Sequence, residues 1–145
     1  MGELWFVQQQ ARATIDPWAN VENGSAVRLD SQWNHEFIFW RIDGRYFGFD
    51  NDKATGMVRV RRVEEICGES AWEVFDRPRS DEHREEIWQR AWSVLGTVYD
   101  VHRWNCQSYV HFSYYGVPHS ESVRVGTIWA GDRSGGRRDR FWSSP

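Results

Sequence analysis

Lysine is almost missing from this chain: seventeen of its eighteen basic residues are arginine, and Lys53 is the exception. Arginine presents a planar fork that pairs with carboxylate or phosphate and stacks on aromatic rings, which a lysine ammonium does not do. A coding bias toward arginine gives the same composition. Long apolar runs are missing too. Those such as Phe37 to Trp40 extend about four residues, against the roughly twenty that a membrane-crossing helix needs, so a soluble, cytoplasmic protein without a transmembrane segment is expected. Cysteine is scarce. Cys67 and Cys106 allow one bridge at most, and nothing like a secretory leader precedes them, so a reducing compartment and free thiols are expected. No metal-ligand spacing, phosphate loop or dinucleotide fingerprint occurs, so neither a metal nor a cofactor is expected. A net charge of -3 excludes a wholly basic nucleic-acid binder.

What the chain has instead is aromatic area. Ten Trp, five Tyr and eight Phe among 145 residues supply much of the surface available for burial, enough for one core and one domain. The stretch from Leu4 to Ser25 mixes aromatics with turn formers and ends at Asn23-Gly24, a turn signal. Ala26 to Leu29 then reads as a short strand. The segment "NHEFIFWRIDGRYFGFD" carries two aromatic and β-branched runs on either side of Asp43-Gly44, a pair suited to a tight primed turn, and predicts a hairpin. "MVRVRRV" and "AWEVFD" alternate apolar and polar residues as half-buried antiparallel strands do. Cys67, before Gly68, is expected as a structural thiol at a strand end.

At Ser80 the period changes. An N-cap, acidic first turns and Ile87, Ala91, Val94 and Leu95 at helical spacing predict a helix ending before Gly96, with Trp88 and Trp92 one turn apart and packing. Asn105 then suits an N-cap for a second helix that begins at Cys106 and ends at Gly116. Strands followed by helices predict an α+β domain, with an antiparallel sheet packed against helices. A cysteine in the first turn of a helix faces unpaired N–H groups and the positive end of the dipole, both favouring thiolate. A nucleophilic sulfur also needs a base. His35, leading into the hairpin, is the candidate, with His83, His102, His111 and His119 as competitors.

The stretch "IWQRAWSVLGTVYDVHRWNCQSYVHFSYYGVPHSESV" resembles the NC-box region of the lecithin retinol acyltransferase family, and "HEFIFWRIDGRYFGFD" resembles that family's H-box. The resemblance implies a permuted papain-like, single-domain architecture over residues 1–130, with Cys106 as acyl-accepting nucleophile and His35 as general base. In the family a second histidine on the return strand orients the first, and Gly48 stands at that position here. Asp50 or Asp43 is the substitute, and Asp50 is preferred because it shares a strand face with Gly48. Gln107 and Ser108 follow the cysteine where the family has Glu and His, and no hydrophobic anchor follows. With "MGELWF" read as a start Met before a cleavage-exposed glycine, these departures resemble picornavirus 2A proteins of the H-box/NC type.

That branch implies a viral accessory protein in the host cytoplasm, acting in replication through host or viral protein partners, with a degenerate Cys/His site. The wider family implies a thiol phospholipase or acyltransferase on lipid acyl chains. A third reading comes from the Gly- and Arg-rich residues 131–145, expected to form a flexible tail. There Arg133, Arg137, Arg138 and Arg140, with Phe141 and Trp142, suit single-stranded RNA by charge and stacking.

Overall fold

Side chains alternate along a strand, and in the longest apolar run of this chain both faces are buried. The computed structural model describes residues 16–31 and 34–119. Among these residues five strands, β1 (Ala26–Leu29), β2 (Glu36–Ile42), β3 (Arg45–Asp52), β4 (Met57–Arg62) and β5 (Trp72–Asp76), form one sheet in the order β4-β3-β2-β1-β5. Every neighbouring pair is antiparallel. β2 lies at its centre. Ile38 faces one core with Ala26, Phe49 and Val58, and Trp40 packs against it, whereas Phe37 and Phe39 face the other with Trp18, Val27 and Ile66. A strand covered on both sides has no polar face to show, which is why "FIFW" reads as a run rather than an alternation.

Among the described residues three helices accompany the sheet: α1 (Val63–Cys67), α2 (Asp81–Ser93) and α3 (Cys106–Tyr115). α2 and α3 cover the first core through Ile87, Ala91, Tyr109, Val110 and Tyr114. α1 and the segment around Trp18 close the second, where Trp18 stacks on Trp72 with ring centroids 3.8 Å apart. The result is an α+β domain. The hairpin turns at Asp43 and Gly44 with φ of 51° and 73°, the two positive values that a primed turn requires. Ser80 caps α2 by accepting a hydrogen bond from the His83 amide. Trp88 and Trp92 pack on each other and on Phe49.

One expectation is corrected. Cys67 does not end a strand: β4 stops at Arg62, and Val63, Ile66 and Cys67 turn inward from a short helix whose spacing puts all three in the second core. The alternation of "MVRVRRV" continues smoothly into Val63, so strand period alone gives no sign of the change.

α2 and α3 are joined by several polar contacts, and one of them is fully buried. Where α2 ends, the Leu95 amide donates three residues back to Trp92 rather than four back to Ala91, and the Tyr109 hydroxyl donates to the Ala91 carbonyl at 3.0 Å. Helix ends leave carbonyls that need such partners. Tyr109→Phe is therefore expected to lower the unfolding free energy by about 1–3 kcal/mol, the cost of a buried acceptor left without its partner. Urea denaturation of the two proteins measures it.

Candidate active site

Cys106 is placed by the residues just before it. The Asn105 side chain accepts from the Ser108 amide at 3.0 Å, and the Ser108 hydroxyl in turn accepts from the Asn105 amide, closing a capping box that starts α3 at Cys106. The loop leading in is pinned from two sides. Asp100 and Trp104 exchange backbone hydrogen bonds, and the Asp100 carboxylate accepts from the amides of His102 and Arg103. From the sheet, the buried Asn51 side chain donates to the Trp104 carbonyl at 2.9 Å. The helix start is thereby fastened to β3, and Cys106 is a free, half-buried thiol in the first helical turn.

His35 immediately precedes β2, and Asp50 lies near the end of β3. The hairpin brings them together: His35 Nε2 donates to Asp50 Oδ2 at 2.8 Å, and the Asp50 side chain has no exposed surface. Cys106 lines the same cavity as this imidazole and is near enough to act on its charge. With Nε2 held by the carboxylate, Nδ1 is the ring nitrogen left for sulfur. Burial lowers the affinity of the His35 ring for its proton, but the hydrogen bond to Asp50 and the negative charge of Asp50 and Cys106 outweigh it. The pKa is pushed up to about 10.

The structure therefore brings together Cys106, His35 and Asp50. It also shows why no side chain stands at Gly48. A Cβ there would lie 2.3 Å from Ile66 Cδ1 and 2.7 Å from Phe37 Cδ2, so the core fills that space and Asp50, two residues along the same face, meets the ring instead. Asp43 sits exposed in the hairpin turn, at the end remote from His35. The other histidines serve elsewhere. His83 contacts the Tyr114 carbonyl, His111 the Val117 carbonyl, and His102 lies exposed in the loop. Cys67 is buried, and burial pushes its thiol up to about 11, the behaviour of an inert thiol. Arg133, Arg137, Arg138, Arg140 and Trp142 lie outside the described residues.

Three neighbours went unnoticed in the sequence. Arg61 on β4 donates to both oxygens of Asp50. Tyr99 and Lys53 line, with His35, Cys106, Asp52 and Gln107, a cavity of about 300 Å³ that opens onto the thiol. Burial, reinforced by the negative charge of Cys106, Asp52 and Asp100, pushes the Tyr99 phenol up to about 12, so at neutral pH it is a hydrogen-bond donor. Only Arg61 had a readable signal. Val58 and Val60 claim one face of "MVRVRRV", which sends Arg59 and Arg61 to the face that Asp50 occupies on β3. Among the described residues no group of three or more His, Cys, Asp or Glu is arranged to hold a metal ion, and no helix is long and apolar enough to cross a membrane.

An imidazole with a raised folded-state pKa stabilises the fold fully below its ordinary value of 6.5, and that contribution is lost as pH rises through about 10. By NMR the His35 ring is expected to keep its imidazolium shifts through neutral pH and to titrate near 10, whereas Asp50→Asn brings the midpoint down by removing the charge that holds the proton. A His35 midpoint close to 6.5 in the unmodified protein would contradict this geometry.

Compared with known proteins, the chain matches no protein-family model, and no curated protein matches it.

Proposed function

We propose that the chain is a cysteine-dependent acyltransferase or phospholipase of the lecithin retinol acyltransferase kind, with the permuted papain-like arrangement of that kind of enzyme. The observation that carries the reading is the His35 ring, held by the Asp50 carboxylate at the wall of the cavity that Cys106 also lines. An imidazolium there, together with the α3 N-terminus, favours negative charge on sulfur. The thiolate attacks an acyl ester carbonyl, and the carbonyl electrons move onto oxygen. Collapse of that intermediate breaks the ester C–O bond, and the leaving alkoxide takes the proton from His35. The acyl group is then a thioester on Cys106. In the second half the neutral His35 takes a proton from water or an acceptor alcohol, which attacks the thioester and returns the thiolate.

The backbone N–H of Cys106 at the start of α3 and the Tyr99 hydroxyl, which lines the cavity beside the thiol, are suited to the transient oxyanion. The reading in which the site is degenerate drew on Gly48 as a missing orienting group. Asp50 supplies that orientation, so Gly48 is no argument against chemistry.

An activated long-chain acyl ester is expected to leave an acyl adduct on Cys106, seen as a mass increase on the peptide that contains it. Cys106→Ala abolishes the adduct, and His35→Ala slows its formation by about 10²–10⁴-fold, the range for loss of a positioned acid–base group. A folded protein that takes no acyl group on Cys106 would refute the reading.

A second reading, partner binding as an accessory protein of the picornavirus 2A type, is favoured by Met57 and Val98. These bridge partners leave apolar surface in solvent, Val98 with 74% of its area. That role is independent of sulfur. Cys106→Ser is expected to preserve both folding and association with viral or host proteins, and Val98→Asp to weaken the association, as read by coprecipitation from infected cells.

A further inference from the structure

Asp50 has no exposed surface, and one histidine N–H does not satisfy a buried carboxylate. The rest of its partners come from Arg61: Nε donates to Oδ1 at 3.2 Å and Nη2 to Oδ2, the oxygen that also receives His35 Nε2. We propose that Arg61 is the positioning residue of the site, a fork that fixes the plane of the Asp50 carboxylate and through it the direction in which His35 faces Cys106. The proposal rests on the reading of Cys106, His35 and Asp50 as the reacting set.

The sheet explains how the fork gets there. Arg61 stands directly opposite Gly48 on β3, a residue with no side chain to meet it, and reaches along the same face to Asp50. A carboxylate held by a single bond turns about its last torsion, which is broad and two-fold. Two parallel N–H donors from a planar guanidinium remove that freedom, and a lysine ammonium does not. His35 then receives an oxygen of fixed direction, and its ring plane follows. The guanidinium also lies 3.6 Å from the carboxylate of Asp52, which lines the cavity, so the same group ties the positioned acid to the cavity wall.

The row Arg61, Asp50, His35 alternates in sign when the imidazole is protonated. The carboxylate in the middle is stabilised from both sides, and Glu65 adds a further negative field at Arg61. A purely structural Arg61 would serve as well if any cation stood near Asp50. Positioning requires the fork.

Arg61→Lys and Arg61→Met separate the two. Two readouts are used, neither of which needs a substrate: the downfield proton resonance of His35 Nε2–H against Asp50, and the rate at which iodoacetamide alkylates Cys106, resolved from Cys67 by peptide mass. In both variants the resonance is expected to move upfield or be lost to exchange, and alkylation at neutral pH to slow by about tenfold or more, as misplacement of a catalytic group does. Lysine restores folding stability but neither signal. If Arg61→Met fails to fold, Arg61→Lys decides alone. A folded Arg61→Lys protein with both signals unchanged would overturn the proposal. Absence of acylation at Cys106 would leave both readouts as they are, so that failure and this one are told apart.

Discussion

A carboxylate with no exposed surface is the constraint on which the arrangement around the thiol depends. Asp50 is tolerable in the interior only because donors from two other parts of the chain converge on it, Arg61 from β4 and His35 from the start of β2. Removing either leaves a buried charge short of partners. The requirement therefore reaches backward into the fold. β2, β3 and β4 must be neighbours, antiparallel and in the register that sets Gly48 against both Phe39 and Arg61. A slip of one residue would send Arg61 to the other face, among Ala26, Ile38 and Phe49.

The two cores divide the labour around that constraint. On the face that carries Asp50, Phe37 and Ile66 crowd against Gly48 and leave polar space only beyond it, toward the end of β3. On the opposite face, Phe49 and Asn51 project toward the helices. Asn51 reaches past the apolar layer to hold the backbone at Trp104, which is how a strand of the sheet fixes the height of α3 and of its first residue. Adjacent residues of β3 thus serve the site from both sides, Asp50 through the histidine and Asn51 through the helix that bears the thiol.

Local signals made much of this legible. Asp43-Gly44 marked the hairpin, and Ser80, Asn105 and Gly116 marked helix ends, because turns and caps depend on a few residues close in sequence. The choice of Asp50 over Asp43 followed from strand alternation, and the two acids indeed lie at opposite ends of the hairpin. What escaped depended on neighbours remote in sequence. The alternation of "MVRVRRV" assigns Arg61 a face, but that this face meets Asp50 depends on the β3–β4 register, which no short pattern specifies. Val63 to Cys67 continued an apparent alternation, and only the demand of the second core for Val63, Ile66 and Cys67 on one side makes it helical. Tyr99 and Lys53 belong to loops, where position is set by what the loop is tied to.

The capping box at Asn105 settles only part of the setting of Cys106. The sulfur, its imidazole and their carboxylate come from a loop-to-helix junction and from a hairpin far apart in sequence, and Asn51 ties the junction to the sheet. Local structure alone, the capping box and the helix it starts, leaves Cys106 without His35 and Asp50 beside it. The surroundings of that one sulfur are complete only with the long-range contacts of the sheet, so its setting belongs to the whole domain and not to the turn that carries it.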